Sequence, residues 1–256
     1  MSAAMVEMET SKQATRRLAH KAMRDGFESE AIYTYTDAEG NELYARFRLR
    51  HSTRTTPKGK PEKHIRPMKR DGDRYVMGEP EFPDGKPLYH LHVLAANPDA
   101  PVVVVEGENK VEALARLGMV ATTSGSATSA AGTDWGPLAS RTVTIWADND
   151  KTGRQYAEDV RRILLGLGAS VVVIDAAALG LGEGEDAVEW LAAHPGATAA
   201  DVDTLPRVAP AVTATPTTAT ADDWPEPKPL PDALPAVPAF EFVMLPDSLR
   251  DRRAHV

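Results

Sequence analysis

A chain of 256 residues is long enough for one ordinary domain with appendages, or for two small ones. With 42% hydrophobic and 26% charged residues it has a globular composition, and its longest apolar runs, VVVV and the Asp-interrupted VVVIDAAAL, fall short of the roughly 18–20 residues of a membrane helix. The absence of cysteine excludes disulfides, thiolate nucleophiles and Cys-based zinc sites.

The amino-terminal MSAAMVEMETSKQATRR lacks the basic-then-apolar layout of a secretory signal, so the expected location is cytoplasmic. Residues 10–25, TSKQATRRLAHKAMRD, read as a basic helix stopped by Gly26, with Ala14, Leu18 and Ala22 forming a narrow apolar stripe suited to docking rather than core building. Residues 31–50 carry the strongest hairpin signal. Tyr33 and Tyr35 alternate with threonines on the first arm, DAEGN supplies the turn, and Leu43, Ala45, Phe47 and Leu49 share one face of the second arm. Tyr44, Arg46 and Arg48 take the opposite face. The tyrosines have two readings: stacking on single-stranded bases, or packing within the hairpin.

A basic segment follows, read as a loop rich in Pro, Gly and Lys. Between Tyr44 and Arg74 eleven Lys/Arg stand against Glu62, Asp71 and Asp73, a local charge of about +8 in a protein whose total is −8. Such concentration in an acidic chain suits contact with a phosphate backbone, the candidates being Lys58, Lys60, Lys63, Arg66, Lys69 and Arg70; a solvated loop is the alternative. In the lead-in PLYHLHVLAAN, His90 and His92 form a close pair with no carboxylate at ligand spacing, and a strand with solvent-facing histidines is expected.

From Val102 strands alternate with helices: VVVVEGE, NKVEALARLG, MVATTSG, RTVTIWADND, TGRQYAEDVRRILLGLG, ASVVVID and EDAVEWLAAH. This order calls for an α/β fold, a parallel sheet with right-handed crossovers, whose ligands sit beyond the carboxyl ends of the strands. Both acidic pairs, Glu106/Glu108 and Asp148/Asp150, fall at such ends. After about residue 200 the chain turns to Pro, Thr and Ala without periodicity, the composition of a disordered tail or linker. The expected organisation is therefore a basic helix over 1–30, a hairpin and basic segment over 31–100, an α/β domain over 101–200 and a Pro-rich tail over 201–256.

Asp148 and Asp150 project to the same side if IWADND is a strand, and like charges about 6 Å apart repel by about 3 kcal/mol at an effective dielectric near 20. A divalent cation would relieve that repulsion; a solvated turn is the other reading. With Glu106 on a neighbouring strand, three carboxylates would converge over the sheet edge, a hard-oxygen set suited to Mg²⁺.

VVVVEGENKVEALARLG, TTSGSA, TVTIWADNDKTGRQYAEDV and GEGEDAVEWL, within residues 102–191, together resemble the toprim domain shared by bacterial primases, type IA and type II topoisomerases and some nucleases. More narrowly, YTYTDAEGNELYARFR, the basic segment and PLYHLHVL resemble the primase-like part of phage and integrated-element primase–helicase proteins, and WPEPKPLPDALPAVPAFEFVMLPDSLR is similar to the linker that opens their helicase-like region. The resemblance implies a toprim-like fold, Glu106 as general acid/base also reaching the metal, Asp148 and Asp150 as Mg²⁺ holders, and Asp186 as a further acidic position. A helix-start carboxylate is the equal alternative for Asp186. Asn109 and Lys110 depart from the pattern, where relatives place Lys and then an acidic or small residue.

Three functions follow as expectations. The first is Mg²⁺-dependent primer synthesis from nucleoside triphosphates on a single-stranded DNA template, with a possible helicase partner and no membrane. The second is toprim-type phosphodiester cleavage, and the third a non-catalytic nucleic-acid-binding subunit. A topoisomerase would need a nucleophilic tyrosine on a further domain, and Tyr156 reads as packed.

Overall fold

The computed structural model describes residues 8–57 and 59–209. It opens with two short helices, α1 (Ser11–Leu18) and α2 (His20–Arg24). Thr10 starts α1 through a capping box with Gln13, satisfying amides that the first turn leaves unpaired. Four strands follow as an antiparallel meander, β1 (Phe27–Thr36), β2 (Glu42–Thr55), β3 (Pro61–Asp71) and β4 (Arg74–Met77), in spatial order β1-β2-β3-β4. The β1–β2 turn is held by the Asp37 carboxylate, which accepts from the Asn41 backbone N–H at 2.7 Å and the Asn41 side-chain amide at 2.9 Å.

The expected hairpin is thus the first half of a larger sheet, and the segment read as a basic loop is chiefly strand. Pro67 masks this in the sequence, since a proline argues against an interior strand. Its carbonyl accepts from Gly78, just past Met77, the last paired residue of β4. The ring nitrogen therefore faces the place where the β4 ladder has already ended and needs no donor.

Both faces of this sheet are covered. Ala45, Phe47, Leu49 and Met68 pack with Ala14, Ala19 and Tyr75 beneath the helical cap. On the other face Tyr33, Tyr35 and Tyr44 are buried against the α/β part of the molecule. Tyr35 and Tyr44 stack at 4.4 Å, and Tyr89 lies 5.0 Å from Tyr35. The tyrosines are packing groups here, not free platforms for bases.

The lead-in histidines belong to no strand. His90 adopts a left-handed conformation (φ 61°) as N-cap of α3 (Leu91–Ala96), which carries His92. Leu91 and Leu94, three apart on α3, pack into the same core, so LYHLHVL runs into helical spacing rather than alternation.

The second sheet is parallel. Its strands are β5 (Val102–Val105), β6 (Val120–Thr122), β7 (Thr142–Trp146) and β8 (Ser170–Val173), in order β6-β5-β7-β8. Helices α4 (Glu108–Ala115), α5 (Lys151–Gly166), α6 (Ala187–Ala193) and α7 (Ala199–Asp203) complete it. All four residues of β5 are buried, because alternate valines feed two cores. Val102 and Val104 meet Val143, Ile145, Tyr156 and Leu164 on one face, while Val103 and Val105 meet Val111, Leu114, Trp146 and Trp190 on the other. Full burial of each such side chain stabilises by roughly 1.5–3 kcal/mol.

This is an α/β fold, a parallel sheet flanked by helices and preceded by an antiparallel region, consistent with a toprim-like arrangement. From the central pair the connections run outward in opposite directions, β5 through α4 to β6 and β7 through α5 to β8. The gap between the carboxyl ends of β5 and β7 is therefore a topological switch point, where open α/β sheets bind ligands. Beyond α7 the chain returns to β8, with Arg207 bridging Ile174 and Val208 N–H donating to the Val173 carbonyl at 2.8 Å. The Pro-rich stretch after residue 209 lies outside the described residues, and so does Lys58. Among the described residues no helix is long and apolar enough to cross a membrane.

Candidate acidic site at the switch point

Glu106 is the first residue past β5. Gly107 follows with φ 86°, a backbone conformation that side-chain-bearing residues rarely adopt, and turns the chain directly into α4. The Gly107 N–H donates to Thr123 Oγ1 at 2.9 Å, which ties the turn to the end of β6.

Asp148 and Asp150 lie beyond β7 rather than within it, so strand alternation does not set their direction. Asp150 instead caps α5, its Oδ1 accepting the Gly153 N–H at 2.8 Å. Asn149 between them clamps a second loop alongside. Its N–H donates to the Glu185 carbonyl, its own carbonyl accepts from Gly184 N–H, each at 2.9 Å, and its side-chain amide donates to the Leu181 carbonyl at 2.8 Å. That clamp carries Asp186 into the site, where it also caps α6 through a capping box with Glu189. The helix-start reading of Asp186 therefore describes it, and its side chain also lines the pocket.

Glu106, Asp148, Asp150 and Asp186 line one pocket of about 370 Å³ with Arg48, Lys60, Lys63 and Lys110. The Asp148 N–H approaches Glu106 Oε1 at 3.3 Å, so the two strand ends do meet. Such closeness depends on Gly153. A Cβ there would lie 2.2 Å from the Asp148 carbonyl oxygen and 2.9 Å from Glu106 Oε1.

The centre of the cluster holds a lysine. Lys110, in the first turn of α4 and 5% exposed, donates to the Glu106 carbonyl at 2.7 Å, to Asp148 Oδ1 at 2.5 Å and reaches Asp186 Oδ2 at 3.1 Å. Burial acts to lower its pKa, but the charges of Asp186 and Asp148 outweigh burial and hold it above the usual lysine value. Asp186 feels burial in the raising direction, yet Lys110 and its capping contacts leave it net lowered. Glu106 is only partly compensated. Burial, then the charge of Asp148, push its carboxyl up to about 7, with Asp150 adding to the rise and Lys110 opposing it.

Among the described residues no group of three or more His, Asp and Glu side chains is arranged to hold a metal ion ready-made. The donor chemistry nevertheless fits one Mg²⁺ of the kind that takes one or two carboxylates and completes its shell with water and phosphate. Lys110 offsets one unit of the charge that Asp148 and Asp186 carry, so the four carboxylates together keep a negative excess.

Glu108, the second carboxylate of EGE, is withdrawn from the pocket chemistry. It accepts from Arg46 at 2.6 Å and from the Tyr35 hydroxyl at 2.8 Å, bolting the antiparallel sheet to α4. Arg48 reaches Asn109 at 3.3 Å and Glu30 at 2.5 Å from the same sheet face.

The basic residues singled out from charge divide between faces. Lys60 and Lys63 line the pocket; Lys60 donates to the Gly184 carbonyl at 2.6 Å, and burial against the pocket wall, then Arg48, lower Lys63. Lys69 shares the Lys63 face of β3 but stands off the pocket. Arg66 and Arg70 alternate to the opposite face, where the Arg70 guanidinium lies 4.4 Å over the Tyr75 ring. Tyr156 is fully buried, paired with Ser124 at 2.9 Å and pushed up to about 12 by burial, so it is a packing group.

Lys110 and Arg48 are the site residues that sequence reasoning left out. The period-two pattern of β2 put Arg46 and Arg48 on one face but named no partner for them. A lysine in the first turn of a helix opposes the helix dipole, and that conflict was the available signal for a carboxylate beside it.

No protein-family model and no curated protein matches the chain. Among solved structures it is similar to the Aquifex aeolicus primase (zinc-binding and RNA polymerase domains), with 16% identity and a TM-score of 0.42, over 73% of this chain and 47% of that one. The chain thus spans about half the length of that protein, and the likeness is weak and partial.

Proposed function

We propose that the pocket performs Mg²⁺-dependent nucleotidyl transfer on nucleic acid, primer synthesis from nucleoside triphosphates on a single-stranded template. One observation carries this reading: Glu106, Asp148 and Asp150 converge at the switch point in a pocket whose other wall is cationic. Phosphoryl transfer needs negative oxygens to be gathered and neutralised, and an acid-lined floor beneath a basic wall is built for that.

Asp148 and Asp150, beside Glu106, would hold the ion, which when bound supplies charge neutralisation for the transferring phosphoryl group. Arg48 and Lys63 orient phosphate oxygens from the opposite wall. Glu106, whose carboxyl burial and the charge of Asp148 raise in the absence of metal, is the group that would accept and return a proton. Here the proton is that of the attacking 3′-hydroxyl. A second reading, nucleic-acid binding without catalysis, is favoured by Lys110, since the best-coordinated cation position in the cluster is filled by the protein itself.

The test is incubation of the full chain with single-stranded DNA, labelled nucleoside triphosphates and Mg²⁺. Template-dependent oligomers that disappear in Asp150→Asn support transfer. Template shortening without nucleotides redirects the assignment to a nuclease, and binding without either product leaves the second reading.

A further inference from the structure

Lys110 is placed as a ligand-like cation rather than as a substrate grip. Its ammonium donates to the Glu106 carbonyl and to Asp148 Oδ1 and forms an ion pair with Asp186 Oδ2 at 3.1 Å. Its acceptors arrive from three segments, the ends of β5 and β7 and the cap of α6, so the ammonium joins the pieces of the site as an ion would. Its location is otherwise unfavourable, since a buried ammonium is desolvated and the amino end of α4 repels positive charge. Two carboxylates offset that cost.

We infer that Lys110 is a resident cation, occupying between Asp148 and Asp186 the position a second divalent ion would take, so that the native cluster accepts one divalent ion, at Asp148 and Asp150 beside Glu106, and not two. The inference rests on the one-ion reading above for its native count, and on the lysine geometry alone for the difference between native and substituted protein. Substrate charge is then met by one exchangeable ion and one fixed ammonium, and the fixed half does not depend on metal supply.

The experiment counts Mn²⁺ bound to the full chain by electron paramagnetic resonance, for native protein and for Lys110→Met, without any assay of activity. One ion in the native protein and two in the variant is the expected result. No ion in the native protein and one in the variant retains Lys110 as a resident cation and sinks the one-ion reading. Equal counts, fewer ions in the variant, or two ions already in the native protein overturn the inference. Should the variant not fold, the Lys110 side-chain ¹H–¹⁵N signal of native protein decides the matter. A buried ammonium held by two hydrogen bonds and an ion pair exchanges slowly and its signal persists through Mg²⁺ saturation; loss or displacement of that signal by Mg²⁺ means that the ion evicts the lysine, which overturns the inference.

Discussion

Replacing Gly153 by alanine sets two effects of known size against each other. Gly153 lies in the first turn of α5, where its backbone is helical and where alanine is normally favoured over glycine by about 1 kcal/mol. Against this, the added Cβ would stand 2.2 Å from the Asp148 carbonyl oxygen, 2.9 Å from the Asp148 nitrogen and 2.9 Å from Glu106 Oε1. Two of those atoms are backbone and cannot swing aside. Overpacking costs typically 1–3 kcal/mol, and with rigid neighbours the upper end applies, so the net loss is about 2 kcal/mol. For a unit of this size that lowers the melting temperature by roughly 4–8 °C. Gly166→Ala is the internal control, in the same helix with no atom within 4 Å of its Cβ, and should be neutral or stabilising by up to about 1 kcal/mol. Urea unfolding of both variants checks the pair. A Gly153→Ala protein as stable as Gly166→Ala would refute the account of how α5 is pressed against the acidic floor.

Removing one side of the Arg46–Glu108 bolt leaves a buried carboxylate with only the Tyr35 hydroxyl, so Arg46→Met should cost about 3 kcal/mol in denaturant unfolding. The Arg46→Met/Glu108→Leu double variant should lose less than the sum of the singles, and additivity would argue against the pairing. Glu106 has a folded pKa near 7 against an ordinary 4.5, so the folded state binds more protons between those values. The stability it contributes is fully present below pH 4.5 and is lost as pH rises through 7, by up to about 3 kcal/mol in metal-free protein. Glu106→Gln should remove that slope, and an unchanged slope in pH-dependent melts would assign it to another group. If single-stranded DNA crosses the basic wall, Lys63→Ala should reduce the slope of log affinity against log salt by about 0.7 in anisotropy titrations. Arg66→Ala, on the far face of β3, should leave that slope unchanged.

Elements with their own period were legible in the sequence. VVVV, the α5 helix and the capped EDAVEWL could be placed without coordinates, because burial on two faces and helical spacing leave local marks. The third and fourth strands were hidden because Pro67 and a run of lysines and arginines mimic a loop, and what makes them strand is pairing, β3 with β2 and β4 with β3. The carboxylates were nameable as a group, but their geometry depends on non-local devices: the Asn149 clamp that brings in Asp186, and the missing side chain at Gly153. Lys110 could be flagged as unusual but not placed, since its partners come from segments far apart in the chain.

The turn from Gly107 to Lys110 sends Glu108 and Asn109 into the antiparallel sheet and Lys110 into the acidic pocket, with Glu106 immediately before it. Cutting away the first hundred residues would therefore strand a carboxylate in a greasy seam and loosen the anchor of both Glu106 and Lys110. A replacement amino-terminal module could be grafted here only if it offered a guanidinium and a phenol at the places of Arg46 and Tyr35. The two sheets are in this sense a single machine part, and neither can be exchanged as a spare.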